Sequence, residues 1–324
     1  MFMRETSFTN GLMLLYLILC LSVPTIVALT MLSDSRMTAI KGDEPNYLSH
    51  TVPKKKTADV ERQLNFDLGE IHKGKSIIPR NFLSYLPKSL PMETQVRRKK
   101  DLFVKTMLPL ILRANELILE DREKLIAIDQ NMEQGKPLSP RARRWVTPLL
   151  KRYRIPLKAG QITHLHIEKL LDRMDIIPPS LALAQAAIES GWGSSYFAQN
   201  YQAIFGQWTW NPEDKGVIPK RRPEGMTHRI RAFDYLLDSI LAYMINLNRH
   251  PAYQKLRDRR TELKKHKLPI TGHALAPALD KYSEKGEKYV SDLLNIMTYN
   301  KFSKYDFAEL AIQKHTRTAE NTAQ

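Results

Sequence analysis

The chain has 324 residues, of which 43% are hydrophobic, enough to support a sizeable core. Its formal net charge of +16 indicates an anionic partner such as nucleic acid, an anionic membrane or a cell-wall polymer. The single cysteine, Cys20, excludes an intrachain disulfide and a cysteine-based metal site. Nucleic acid is not expected, because the sequence has no zinc-finger cysteines, no RNA-recognition aromatic signature and no heptad-linked basic region.

Residues 1–32 are predicted to be a signal-anchor or a signal peptide. The stretch 11–32 carries no charge and is long enough to cross a hydrocarbon core of about 30 Å. It exceeds the apolar core of an ordinary signal peptide and no clear cleavage site follows it, which favours an uncleaved anchor. Lipidation of Cys20 is not expected, because Leu19 stands where a small residue is needed. Both alternatives place the remaining chain in the periplasm or cell envelope.

Four further segments complete the predicted organisation. Residues 33–95 are rich in proline and basic side chains and are predicted to be a flexible linker with a short local element near Val60–Leu68. Residues 96–160 have apolar spacings of three and four, typical of helices, and form a helical N-terminal extension. Its first half is either one long helix bent at Pro109 or a helical hairpin. Residues 161–312 form the main domain, and 313–324 a polar tail.

The main domain is predicted to be mainly α. Its first helix, near Thr163–Met174, carries His164 and His166, which face apart at a spacing of two and cannot share a metal in the way an i, i+4 pair can. No metal site or cofactor is therefore expected. Residues 211–233 are predicted to form a loop or one small irregular hairpin, and no strand–helix alternation supports a parallel sheet. Further helices are expected to end near Asn248, to cover 255–267 and 271–280, and to include Val290–Met297.

The stretch 179–210 differs from the ordinary helical material around it. Ser180 is predicted to cap a short apolar helix that ends at Gly191, with Glu189 in its last turn. The helix dipole and apolar neighbours would both disfavour the Glu189 carboxylate and raise its pKa. A carboxylic acid that stays protonated near neutral pH can protonate a glycosidic oxygen. The alternative is a surface glutamate that happens to end a helix.

Glycines and aromatic residues follow Glu189, and aromatic faces stack well on sugar rings. Some of them must belong to the core, for which the best candidates are Phe197 and Phe205. A serine-hydrolase elbow, a phosphate-binding loop and a dinucleotide fingerprint are all absent. The pattern indicates a carbohydrate groove lined from the set Trp192, Tyr196, Phe197, Tyr201, Phe205, Trp208 and Trp210.

The motif A-x-x-E-S-G-W-G, followed by N-Y-Q-A-I-F-G-Q-W, resembles the bacterial endo-β-N-acetylglucosaminidase family, glycoside hydrolase family 73. Flagellar peptidoglycan hydrolases and autolysins belong to this family. The resemblance covers roughly residues 95–300. Segments that resemble one subgroup of the family are Asp175–Ser180, Asn248–Tyr253 and Lys281–Gly286.

The resemblance implies a lysozyme-like, α-rich fold and cleavage of the β-1,4 bond after N-acetylglucosamine in peptidoglycan. It implies that Glu189 is the general acid and that Tyr282 lies near the reaction centre. The substrate-binding residues it implies are Trp192, Tyr201, Phe205, Gly206, Trp208 and Trp210.

A second acid is the point at which the sequence departs from many family members. The region after the F-G motif offers Glu213, Asp214 and Glu224, none in a matching context, and Glu224 is the preferred candidate. Two carboxylates are the usual requirement for glycoside hydrolysis. The 2-acetamido group of the substrate can replace the second, so inverting and substrate-assisted chemistry both stay open.

Two alternatives to a hydrolase remain at this stage. A lytic transglycosylase needs one acid and leaves an anhydro sugar. A non-catalytic wall-binding or scaffold protein would retain the groove without turnover. In every case the expected partner is the glycan strand, with residues 11–32 held by the inner membrane.

Overall fold

The structure is a computed structural model, and it describes residues 64–72, 77–157, 160–220 and 222–312. The helices α1 to α10 are Leu68–His72, Val96–Glu133, Pro140–Arg152, His164–Arg173, Pro179–Ser190, Tyr196–Tyr201, Leu236–Arg249, Gln254–Lys265, Gly272–Leu275 and Glu287–Tyr299. The strands β1 to β5 are Ile77–Ile78, Trp208–Thr209, Gly216–Val217, Arg229–Arg231 and Glu309–Leu310. Short 3-10 turns cover Leu90–Met92, Pro251–Tyr253, Ala276–Leu279 and Phe302–Tyr305.

The prediction of a mainly helical domain is confirmed, while the β content is larger than expected. In place of one hairpin, β2, β4 and β3 form a three-stranded antiparallel sheet, with Trp208 paired to Ile230 and Val217 paired to the same residue. Strands β1 and β5 form a parallel pair, with Ile77 opposite Glu309. Strands of two or three residues are too short to produce the alternation by which strands are recognised in sequence.

Helix α2 is continuous past Pro109, so the helical-hairpin alternative is wrong. Its two halves belong to different apolar clusters. Residues such as Phe103 and Ile111 lie in the main core, which surrounds α5. Leu125 lies in a second cluster, with residues of α3 and α4. This second cluster crosses the boundary predicted at residues 160 and 161, so the helical extension and the main domain share a core.

Part of the segment predicted as a flexible linker is folded onto the main core. Leu86 and Leu90 are buried there, and a Cβ on Gly193 would come within 2.4 Å of Leu90 Cδ2. The turn after α5 therefore packs directly on this segment, which explains why position 193 is a glycine. Residues 83, 86 and 90 are leucines at spacings of three and four, a signal that the surrounding prolines obscured.

Helix α5 lies at the centre of the main core, and most of its residues are buried. It ends at Gly191 in the left-handed conformation, as predicted. The predicted cap at its start is wrong. Pro178 occupies the N-cap position, and the Ser180 hydroxyl donates instead to Asp306 Oδ2 at 2.8 Å. Because a proline at the first helical turn needs no amide partner, the serine is free to join α5 to the C-terminal segment.

A buried polar cluster joins two of the segments that carry the family resemblance. Arg260 donates to Asn248 Oδ1 at 2.7 Å and to the carbonyl oxygen of Ile176 at 3.1 Å. Asn248 in turn donates to the carbonyl oxygen of Asp175 at 2.7 Å. Burial alone would raise the pKa of Asp175, but Arg260, Lys264 and Arg122 outweigh burial and hold that pKa below its ordinary value. The cluster fixes the loop that leads into α5.

Among the helices that the structure describes, none is both long enough and apolar enough to span a membrane. The predicted anchor at 11–32, most of the predicted linker and the tail at 313–324 lie outside the described residues.

Candidate active site

Glu189 lies in the last turn of α5, one residue before the end of the helix. The residue is half-buried. Its carboxyl group is enclosed by protein atoms densely enough to lose most of its hydration, yet the side chain is still reached from the surface. A group that is both desolvated and accessible is suited to proton transfer, because its pKa is shifted and a substrate can still approach it.

A chain of buried hydrogen bonds holds the Glu189 carboxyl in place. The Tyr289 hydroxyl donates to Glu189 Oε1 at 3.0 Å. Gln185 Nε2 donates to the Tyr289 hydroxyl oxygen at 3.0 Å, and the Tyr243 hydroxyl donates to Gln185 Oε1 at 2.6 Å. Gln185 therefore uses both the donor and the acceptor of its amide. Because the Tyr289 hydroxyl oxygen accepts from Gln185, its one hydrogen is directed to Glu189.

The residues of this series of hydrogen bonds come from three helices. Gln185 and Glu189 are four residues apart on α5, so their side chains lie on one face. Tyr243 comes from α7 and Tyr289 from the first turn of α10. Gln185, Tyr243 and Tyr289 are buried, and Gln185 has no exposed surface. A buried glutamine must satisfy its amide, which fixes its orientation and that of both tyrosines.

Burial raises the pKa of Glu189 from 4.5 to about 7. The Tyr289 hydrogen bond and the positive charge of Lys285 both lower the pKa, and burial outweighs them. The result agrees in direction with the sequence-based expectation, which named apolar neighbours and the helix end as causes. At neutral pH about half of the Glu189 carboxyl groups therefore hold a proton.

Tyr282 forms part of the wall behind Glu189. It is buried, stacks on Tyr289 with ring centroids 5.4 Å apart and lies 5.8 Å from the ring of Tyr253. Burial raises the pKa of Tyr282 well above its ordinary value, and the nearby Glu189 charge adds to that effect. Tyr282 supports the ring of Tyr289, and Tyr289 supplies the hydrogen bond to the carboxyl group.

Phe205 is a core residue. The sequence allowed either this position or a place among the substrate-binding residues. Its ring lies flat against that of Tyr243, with centroids 3.8 Å apart and planes 4° apart. It is buried and so offers no face to a sugar. Gly206 follows with a φ of +57° and no atom near the position of a Cβ. In the F-G turn, Phe205 thus holds the ring of Tyr243 by stacking, and the space beside Gly206 is open.

Trp208 and Trp210 form an aromatic surface on the three-stranded sheet. Alternate residues of a strand share a face, and both rings lie beside His228, which precedes β4. The Trp208 ring stacks on His228 at 3.9 Å, and the Trp210 ring is 5.9 Å from that of Trp208. Burial, aided by the Arg222 charge, lowers the pKa of His228 and so favours the neutral imidazole in the stack. Trp210 is 37% exposed.

Trp192 and Tyr201 lie in other aromatic groups. The Trp192 ring makes an edge contact with Phe103 at 5.6 Å, and the ammonium group of Lys100 lies 4.8 Å from its centroid. The Tyr201 ring lies 5.8 Å from that of Tyr196. The ring contacts of the described residues do not join either group to the surface formed by Trp208 and Trp210.

No hydrogen bond or ion pair among the described residues joins a candidate second acid to Glu189. Glu224 is exposed in the loop between β3 and β4. Asp214 accepts a hydrogen bond from Thr209 at 2.6 Å within the sheet. Within the described residues, the groups that shift the pKa of Glu189 are Tyr289 and Lys285, and neither is an acid.

Comparison with known proteins identifies the protein family of the main domain. Residues 165–302 match the family model described as glucosaminidase, mannosyl-glycoprotein endo-beta-N-acetylglucosaminidase, so this part of the chain belongs to the glucosaminidase family. The chain is 34% identical over 194 residues to protein Bax of Escherichia coli (strain K12), of which it is a homologue. That alignment covers 59% of this chain and 66% of the relative, slightly under two thirds. No solved structure matches the chain.

Sequence reasoning missed Tyr289, Gln185 and Tyr243. Gln185 carried a usable signal, because it is the one amide in the apolar run of α5 and stands four residues before Glu189. The two tyrosines carried no such signal. They lie 104 and 58 residues from Gln185 in sequence, and only the packing of α7 and α10 against α5 brings them to it.

Tyr289→Phe is expected to move the pH dependence of activity upward. Removing the hydroxyl removes a hydrogen bond that lowers the pKa of Glu189, so the carboxyl would keep its proton to higher pH. The alkaline limb of the kcat/KM profile should shift up in pH, and kcat should fall by about tenfold as the carboxyl loses its orientation.

The matched control for this prediction is Tyr299→Phe at the other end of α10, where the side chain is 81% exposed. This variant should keep the wild-type profile. An unchanged alkaline limb in Tyr289→Phe, with the folded state intact, would show that the hydrogen bond does not set the Glu189 pKa.

Proposed function

We propose that this protein is a peptidoglycan hydrolase that cleaves the β-1,4 bond after N-acetylglucosamine, with Glu189 as the general acid. The observation that carries the proposal is an accessible carboxyl group, that of Glu189, with a pKa of about 7, inside a glucosaminidase-family domain. Such a group is half protonated at neutral pH and can protonate the leaving oxygen without an external acid.

The proposed reaction begins when Glu189 gives its proton to the glycosidic oxygen. The bond from that oxygen to C1 breaks and leaves an oxocarbenium-like centre. The carbonyl oxygen of the 2-acetamido group of the same sugar bonds to C1 and forms a cyclic intermediate. The Glu189 carboxylate then takes a proton from water, whose oxygen attacks C1 and reopens the ring. The 2-acetamido carbonyl oxygen thus takes the nucleophilic role that a second carboxylate has in other glycoside hydrolases, so the reaction needs only Glu189 from the protein.

Trp208 and Trp210 are the proposed platforms for sugar rings, because they present adjacent aromatic faces and Trp210 is exposed. The open space before Gly206 would let a glycan pass close to the backbone. Phe205 contributes by holding Tyr243. Trp192 and Tyr201 would extend the groove beyond the reaction centre.

The proposed location is the periplasm or cell envelope, with residues 11–32 as an inner-membrane anchor or a cleaved signal peptide. The net charge of +16 suits an anionic wall polymer. The lysozyme-like character of the fold is part of the same proposal, since a lysozyme-like, α-rich fold is what the family resemblance implies.

Product analysis tests the proposed bond and distinguishes the rivals. Purified sacculi are digested with the full-length protein, and the fragments are reduced with borohydride and weighed by mass spectrometry. Fragments that end in reducible N-acetylglucosamine are expected. A lytic transglycosylase, which needs only one acid, would instead give anhydro-muramyl ends, and these would contradict the hydrolase. Binding to sacculi without any fragments would support the scaffold alternative.

A further inference from the structure

Three side chains converge at the end of the molecule where α2 meets the start of α4. Asp129 and Glu133 stand one turn apart on α2, and His164 is the first residue of α4. His164 Nε2 lies 3.0 Å from Asp129 Oδ1 and 3.7 Å from Glu133 Oε1. One ligand atom from each residue lies within 4.8 Å of the other two. This set, which we name the α2–α4 triad, takes no part in the proposed catalysis.

The second nitrogen of His164 also faces a carboxylate. Nδ1 lies 3.8 Å from Glu168 Oε1, one turn further along α4. Histidines that bind metals commonly present their other ring N–H to a carboxylate, which fixes the tautomer and leaves the coordinating nitrogen unprotonated. In that tautomer the lone pair of Nε2 points toward the two carboxylates of α2.

An independent observation concerns the two closest atoms of the triad. Asp129 Oδ1 and His164 Nε2 are both shut off from solvent, and neither has a hydrogen-bond partner among the described residues. They are near enough for an ion pair but are not directed as a hydrogen bond. Buried polar atoms are almost always satisfied, so two adjacent unsatisfied atoms of ligand type indicate a missing partner between them.

The local charge favours a cation as that partner. Asp129, Glu133 and Glu168 surround one imidazole, and in the described part of the chain no lysine or arginine forms an ion pair with any of them. In a chain of net charge +16, three carboxylates that pair with no lysine or arginine in the described part of the chain form a local excess of negative charge. A bound divalent cation would neutralise it and satisfy both buried atoms.

The two distances from His164 Nε2 to the carboxylate oxygens suit zinc. Zinc binds imidazole nitrogen and carboxylate oxygen at about 2.0–2.2 Å, usually in a tetrahedron, which places neighbouring ligand atoms roughly 3.3 Å apart. The separations of 3.0 and 3.7 Å lie on either side of that value. We propose that Asp129, Glu133 and His164 bind a zinc ion, with water as the fourth ligand, and that this ion fastens α4 to the distal half of α2.

The proposed ion has a structural role. The second apolar cluster, which includes Leu125, Ile167 and Leu170, lies between the same two helices. A zinc ion at the triad would hold them together one turn beyond that cluster. Binding to the folded state alone raises stability by mass action, so the site makes a prediction that does not depend on the activity of Glu189.

The test uses the full-length protein in mild detergent, stripped with a chelator and titrated with zinc chloride. Calorimetry should give one zinc per chain. At a zinc concentration near one hundred times Kd, Tm should rise by roughly 5–10 °C. His164→Ala and Asp129→Asn should abolish both effects, and Glu133→Gln should weaken binding by about tenfold or more.

The control is His266→Ala, which removes an exposed histidine at the end of α8 and should retain the full zinc response. The proposal is overturned if zinc leaves the wild-type Tm unchanged. It is also overturned if His164→Ala and His266→Ala respond alike, because the observed zinc would then be bound elsewhere. The contact between Asp129 and His164 would in either case be an ordinary ion pair.

Discussion

Replacing Glu189 with glutamine is expected to lower kcat/KM on peptidoglycan by about 10²–10⁴-fold, the usual contribution of a general acid. Glutamine has nearly the same shape and can still accept the hydrogen bond from Tyr289, so the fold and the glycan surface should persist. It cannot give a proton to the leaving oxygen. Muropeptide release is the measurement, and sacculus binding in the same samples shows that the groove is intact.

The same substitution should stabilise the protein above neutral pH. In the folded state the pKa of Glu189 is raised from 4.5 to about 7, which corresponds to about 3 kcal/mol. Below pH 4.5 both states hold the proton and no penalty exists. As pH rises from 4.5 to about 7, Glu189 ionises in the unfolded state but stays largely protonated in the folded state. The free energy of unfolding of the wild type therefore falls over this range and levels off above about pH 7. Glutamine does not ionise, so the variant should avoid this loss.

Glu123→Gln is the matched control, since Glu123 is an exposed glutamate on α2. It should change neither muropeptide release nor the pH dependence of unfolding. A Glu189→Gln protein that folds, binds sacculi and releases muropeptides at the wild-type rate would remove Glu189 from the mechanism.

The largest effect on stability is expected from Arg260→Met, at about 3–5 kcal/mol lost. The Arg260 side chain is 1% exposed, and the substitution leaves Asn248 Oδ1 and a carbonyl oxygen of Ile176 without their donor. Asp175 also loses one of its three cationic partners. Methionine fills much of the volume, so the loss reflects buried polar groups left unpaired and not a cavity.

Arg259→Met, one position earlier, provides the comparison. Arg259 is exposed and pairs with Glu262 at 2.7 Å on the surface of α8, a contact that contributes about 0–1 kcal/mol. Urea unfolding of both variants measures the difference. Equal losses for the two arginines would contradict a structural role for the buried cluster.

The sequence was most informative where local physics decides the structure. The spacing of apolar residues located the long helix α2, and Gly191 marked the end of α5 because the left-handed conformation favours glycine. The position of Glu189 in the last helical turn followed from that, as did the direction of its pKa shift. These properties depend on neighbours within a few residues.

Contacts between distant segments could not be predicted in this way. Ser180 had the local features of an N-cap residue, but its hydroxyl donates a hydrogen bond to Asp306 instead. The Tyr289 hydroxyl reaches Glu189 across 100 positions. Leu86 and Leu90 were hidden in a proline-rich segment, and their burial depends on the turn at Gly193. In each case the local sequence allowed several hydrogen-bond partners or degrees of burial, and tertiary packing decided between them.

The role of Glu189 as the acid is tested most directly by the pH dependence of kcat/KM on soluble glycan strands, because that profile reports the pKa of the essential group in the free enzyme. With Glu189 as the general acid, kcat/KM should be constant at low pH, reach half its maximum near the Glu189 pKa of about 7 and fall tenfold per pH unit above it. A profile that stays flat from about pH 6 to 9, well past the expected alkaline limb, would contradict a protonated Glu189 as the group that breaks the bond.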